Sequence, residues 1–151
     1  MDDKYFIPTT EYLKQLFDTL NNKYFNGLLP ETDVLTVDSD DFVGHYEFEY
    51  GPCGFLDISV ISISIHYQYT EQLLRDVMMH EMLHCYVASV HKWNRFTHHG
   101  LWKKRAEEFN SRYGFNITRC VDLDSLPLAP RFKKRNLFQR LFMRKRRDNN
   151  E

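Results

Sequence analysis

The chain has 151 residues and a formal net charge of −1 at pH 7; 42% of its residues are hydrophobic and 15% aromatic. That suffices for one domain with a real core, and no apolar run approaches the roughly 20 residues of a membrane span. The near-zero charge hides an asymmetry: residues 131–151 carry nine Lys/Arg against two Asp/Glu, while residues 1–130 are acidic overall, which points to a partner rather than to a fold.

The N-terminus, Met1-Asp2-Asp3-Lys4, has neither the basic nor the apolar region of a signal peptide. Cys53, Cys85 and Cys120 are an odd number without paired spacing. They suit a reducing compartment and give no disulfide framework. The expectation is an intracellular protein, cytoplasmic or nucleoid-associated.

In chain order, Thr9 or Thr10 caps a first helix with Glu11 in its first turn. Leu13, Phe17, Leu20 and Tyr24 recur at spacings of four, three and four and form one apolar face. Gly27 and Pro30 close this helix. Residues 33–38 read as a strand and 38–41 as a turn. Phe42 to Tyr50 read as a second strand with Tyr46, Phe48 and Tyr50 on one face, and Gly51-Pro52-Cys53-Gly54 as a turn. Phe55 to Ile65 form a third strand, rich in Ile and Ser. Its alternation changes phase between Val60 and Ile61, which predicts a bulge, kink or short turn there. The tight spacing predicts an antiparallel meander of about three strands.

Thr70 then caps a second helix, with Glu71 in its first turn, that runs to about Val90. His91 to Thr97 read as a loop. A third helix starts near Thr97–His98 and runs to Tyr113, where Gly114 stops it. Phe115 to Arg119 predict a last short strand. Residues 121–130, with Pro127 and Pro130, read as a linker before the basic tail, so the domain is expected to span residues 1–120. The fold class is α+β, with a small antiparallel sheet packed against the three helices.

The second helix contains His80-Glu81-Met82-Leu83-His84, an H-E-x-x-H sequence. Residues four apart share a helix face, with Cβ atoms roughly 5–6 Å apart, so both imidazoles can reach one ion. Leu73, Leu74, Val77, Met78, Met82, Leu83 and Val87 make the helix apolar nearly all round, as in a buried helix. Two histidines and a glutamate there need partners, because unpaired buried polar groups are costly. Zinc suits imidazole donors best. Glu81 is placed to hold and deprotonate a water activated by the ion. Cys85 reads as a small core residue.

A zinc site needs a third protein ligand. His91, His98, His99, Glu107 and Glu108 are available. Trp102, Ala106 and Phe109 mark the buried face of the third helix, and His98 lies four residues before Trp102 on that face. His99 is turned by about 100° from it. Helical phase therefore points to His98, with Thr97 as the helix cap, and leaves His99 as the second choice.

His80-Glu81-Met82-Leu83-His84 followed by His98-His99-Gly100-Leu101-Trp102 resembles the SprT-like metallopeptidase domain, the family that includes Spartan. Its pattern is H-E-M-x-H, a variable loop, then S/T-H-G-x-x-F/W at the start of the next helix. Phe25-Asn26-Gly27-Leu28-Leu29-Pro30 and the Ile/Ser-rich strand are similar too, so the resemblance covers roughly residues 10–119. It implies a zincin-like core and a zinc peptidase. Aligning Trp102 with the family's aromatic residue makes His98 the ligand and puts His99 where the family has Gly. Aligning Gly100 instead makes His99 the ligand. Many relatives also carry a C-terminal zinc ribbon; only Cys120 follows the core in these residues, so no ribbon is expected from them.

The expected chemistry is peptide hydrolysis at a Zn²⁺ site formed by His80, His84 and His98, with Glu81 as general base and a protein or peptide as substrate. Tyr67, Tyr69 and Tyr86 could stabilise an oxyanion, but spacing selects none of them. Substrate could add as a strand if the sheet offers an edge beside the site. Residues 131–147 contain no acid and suit DNA phosphates, in keeping with a family that acts on DNA-bound proteins. Leu137, Phe138, Leu141 and Phe142 at helical spacing also suit an anionic membrane surface or a protein partner. The rival to the enzyme is a non-catalytic DNA-binding or regulatory module with a structural zinc, which would have no need of Glu81.

Overall fold

In the computed structural model, which describes residues 4–90 and 98–132, the first helix, α1, spans Thr10–Phe25. The Thr9 hydroxyl accepts from the Tyr12 N–H at 3.2 Å and caps it. Leu13, Phe17 and Leu20 are its buried face. Asn26 (φ 54°) and Gly27 (φ 70°) both turn left-handed and end it.

Three strands follow: β1 (Asp33–Val37), β2 (Gly44–Tyr50) and β3 (Leu56–Ser64). Their order in the sheet is β1-β3-β2. β2 and β3 pair antiparallel, as expected of a hairpin. β1, however, pairs with β3 in parallel, so the sheet is mixed rather than an antiparallel meander. The reason lies in the connection from β1 to β2, which crosses the end of β3 instead of turning back beside β1. It is held there by bonds from Ser64 N–H to the Val43 carbonyl, Ile65 N–H to the Val37 carbonyl and the Tyr67 hydroxyl to the Asp40 carbonyl. The most apolar strand thereby gains a partner on both edges.

Val34, Ile61 and Tyr46 lie in register across the three strands, and none is more than 1% exposed. The strand irregularity falls near Asp57, opposite Glu49 and Tyr50, and not between Val60 and Ile61. β3 keeps one phase from Ser59 to Ile63. Ser59 faces the core with Ile61 and Ile63, and Ile58 is left 42% exposed. The inward Ser59 is satisfied by the Tyr46 hydroxyl at 3.1 Å and the Thr32 hydroxyl at 2.9 Å, which removes the cost of burying it.

The second helix, α2, spans Glu71–Val90. Thr70 accepts from the Leu73 N–H at 3.2 Å and caps it. α2 packs on β2, β3 and α1, and Cys85 is fully buried. The third helix, α3 (Gly100–Tyr113), packs on α2 and ends at left-handed Gly114. It starts later than its sequence suggests: His99 is the N-cap and His98 precedes the helix. The Thr97 cap and the His91–Thr97 loop lie outside the described residues.

Residues 115–119 form no strand; instead Phe115 and Ile117 are buried. Residues 121–130, expected as a linker, contain a short 3-10 turn at Leu123–Ser125 and are tied to the body. Gln68 N–H donates to the Pro127 carbonyl, and Ala129 N–H to the His66 carbonyl, each at 2.8 Å. The basic tail from residue 133 onward lies outside the described residues. Among the described residues no helix is long and apolar enough to cross a membrane.

Candidate metal centre

The i, i+4 spacing on α2 brings His80 and His84 together, with their Nε2 atoms 3.2 Å apart. His98, entering from just ahead of α3, places its Nε2 3.0 Å from that of His80 and 3.3 Å from that of His84. A tetrahedral ion bound at about 2.0–2.1 Å holds its ligand nitrogens roughly 3.3 Å apart. The three nitrogens are therefore already at the spacing one small ion requires, and they could hold a metal.

The ring chemistry agrees. His80 Nδ1 is 2.9 Å from the Thr118 carbonyl oxygen. A carbonyl only accepts, so Nδ1 carries the proton and Nε2 turns a lone pair toward the other two rings. Burial, and then His98, lower the His80 pKa to about 4. Burial, then His80, His98 and His45, lower that of His84 to about 3. Both rings stay neutral at physiological pH, the state in which imidazole binds metal. Trp102 backs the cluster, its ring 4.8 Å from His80, 5.4 Å from His84 and 4.6 Å from His98 by centroid.

A sequence model described as the SprT-like family matches residues 13–121. The chain belongs to the SprT-like family. The matched stretch runs from α1 through the sheet, α2 and α3. No match was found among curated proteins.

In this SprT-like domain Glu81 lies beside the histidines at 6% exposure, and burial pushes its carboxyl up to about 8. Gly44, the first residue of β2, makes room for it. A Cβ on Gly44 would meet Glu81 Oε1 at 2.6 Å and Val77 Cγ1 at 2.9 Å. No motif in the sequence singles out Gly44. A glycine opening an aromatic strand is a signal of close approach, but only the fold shows what approaches.

His80, His98 and Glu81 border a cleft of about 560 Å³, with His84 buried behind them. One wall is Asp41 to Gly44; the other is Asn116 and Thr118 to Leu123. The other residues weighed from sequence are elsewhere. His99 is exposed at the α3 N-cap, and His91 lies outside the described residues. Glu107 pairs with Lys103 at 3.8 Å, and Glu108 with Arg105 at 2.8 Å. None of the three tyrosines lines the cleft. The Tyr67 hydroxyl donates to the Asp40 carbonyl and that of Tyr69 to the Ser64 carbonyl. Arg105 donates to the Tyr86 hydroxyl.

Proposed function

We propose that this SprT-like domain is a zinc-dependent metalloendopeptidase of the H-E-x-x-H type. The observation that carries the reading is the convergence of three imidazole Nε2 atoms beside a buried carboxyl at an open cleft. A set of three imidazoles suits zinc, and catalytic zinc sites use three protein ligands with a further position open. When bound, zinc would polarise a scissile carbonyl and lower the pKa of water toward ~7.

His80, His84 and His98 would hold the ion through Nε2. Glu81 takes the proton of the attacking water and passes it to the leaving amine. Burial alone favours its protonated form up to about pH 8. A cation at the adjacent histidines favours the ionised form that the base step needs. β2 is an edge strand of the sheet, and its first residue, Gly44, lines the cleft. An extended substrate would add to that edge by main-chain hydrogen bonds. Residues 131–147 would bind DNA phosphates, directing an intracellular peptidase to DNA-bound proteins, with affinity falling steeply as salt rises.

The test is bound zinc together with cleavage of DNA-binding proteins, with and without DNA, for the wild type and Glu81→Gln. One zinc per chain, and cleavage lost in Glu81→Gln while zinc is retained, supports the peptidase. Zinc without cleavage under any condition favours a non-catalytic DNA-binding or regulatory module. Absence of zinc removes both readings.

A further inference from the structure

We infer that Asp76 and Asn110 are positioning residues for the metal centre, clamping residues 116–118 so that the Thr118 carbonyl fixes the His80 ring. The inference rests on the reading of the three histidines as a zinc site. Ligating histidines are oriented by whatever accepts from their second ring nitrogen. Here the acceptor is a main-chain carbonyl in a segment outside any helix or strand. Such a carbonyl can orient a ring only if the segment is itself held.

Two side chains hold it. Asp76 lies one turn ahead of His80 on α2, and its Oδ1 accepts from the Asn116 N–H at 3.0 Å and from Gln72 Nε2 at 2.9 Å. Asn110, on α3, accepts from the Ile117 N–H at 2.8 Å and donates to the Ile117 carbonyl at 2.9 Å. That pair of bonds fixes both the position and the tilt of residue 117. The next residue then presents its carbonyl to His80 Nδ1 at 2.9 Å. Phe115 and Ile117 are buried on either side of Asn116 and pin the segment from the core side. At 7% exposure, Asp76 is an expensive residue to place inside a helix packing face. The two donors it receives account for its presence, and the Asn116 N–H belongs to the cleft wall that also carries Thr118.

The experiment uses the full-length chain. Zinc affinity is measured by competition with a chromogenic chelator for wild type, Asp76→Ala, Asn110→Ala and Asp76→Asn, each first shown to be folded by far-UV circular dichroism. The alanine variants should bind zinc about 10–100-fold more weakly. Asp76→Asn keeps an acceptor oxygen for the Asn116 N–H and should stay close to wild type. Alanine variants that bind zinc as tightly as wild type overturn the inference. Should they not fold, Asn110→Asp replaces them. It keeps the acceptor for Ile117 N–H but sets a carboxylate oxygen against the Ile117 carbonyl; it should lose zinc affinity, and unchanged affinity overturns the inference. Nitrogen-15 spectra of the metal-free wild type add a readout that needs no zinc. His80 protonated at Nδ1 supports the clamp and protonation at Nε2 overturns it, whereas failure of the wild type to bind zinc would instead overturn the proposed function.

Discussion

Gly44 and Glu81 are fitted to each other across the interface of β2 and α2: a Cβ on Gly44 would lie 2.6 Å from Glu81 Oε1. The carboxyl is the end of a flexible side chain and can swing aside, so the cost of a side chain at residue 44 falls on its position. A misplacement of about 1 Å can cost on the order of 100-fold in rate. Gly44→Ala is therefore expected to lower peptide cleavage by about 10–100-fold with zinc content unchanged. Cleavage rates and bound zinc measured on the same preparation check this.

The Glu81 carboxyl makes the metal-free protein pH-sensitive in a particular direction. Its pKa is raised from 4.5 to about 8 in the folded chain. Between those values the folded state binds more protons than the unfolded one. The stability contributed by Glu81 therefore falls as pH rises through that window. Glu81→Gln cannot ionise and escapes the loss. Its melting temperature, relative to wild type in the presence of a chelator, should rise steadily from pH 5 to pH 8. A difference that stays flat over that range would refute the burial argument.

His80 and His84 act in the opposite sense. Their folded pKa values, about 4 and about 3, lie below the ordinary 6.5. The unfolded chain takes up protons first as pH falls, so their contribution to stability is present above about 6.5 and is lost toward pH 3–4. Metal-free protein should melt at progressively lower temperature from pH 6.5 downward. His84→Gln should flatten that part of the profile, measured by calorimetry.

Among the histidines, the structure separates two neighbours that the sequence leaves in competition. His98 joins His80 and His84, while His99 occupies the N-cap position of α3 without a capping bond from its side chain and is exposed. Alanine at residue 80, 84 or 98 is expected to abolish stoichiometric zinc binding at micromolar metal, and His99→Ala to retain it. Metal analysis after gel filtration distinguishes the two outcomes. Zinc lost on His99→Ala and kept on His98→Ala would reverse the assignment.

The segment 127–129 is predicted to stabilise the body. It receives hydrogen bonds from the Gln68 main chain and side chain and returns one to His66, and Ala129 is fully buried. Each bond is worth about 0.5–1.5 kcal/mol. A chain ending at Leu126 should unfold at lower denaturant than one ending at Phe132, with both measured by urea titration.

The sequence by itself determined the α+β class, the limits of α1 and α2, and the placing of His80, Glu81 and His84 on one buried helix. All of these depend on residues within a turn or a strand of one another, where 3.6-residue and two-residue periods are legible. Tertiary structure alone decided the rest. The sheet is mixed because the β1–β2 connection crosses the end of β3, a choice between two partners that strand periodicity does not encode. Ser59 faces inward because Tyr46 and Thr32 reach it, which the Ile/Ser pattern concealed. Helical phase points to His98 but does not apply to it, since α3 begins at Gly100; His98 meets His80 and His84 because the chain enters α3 beside α2. Gly44, Asp76, Asn110 and the Thr118 carbonyl carry no motif. Gly44, Asp76 and the Thr118 carbonyl act through contacts between residues more than 25 positions apart, and Asn110 acts through Ile117, which leads into the Thr118 contact; only the packed chain brings these groups to the histidines and Glu81.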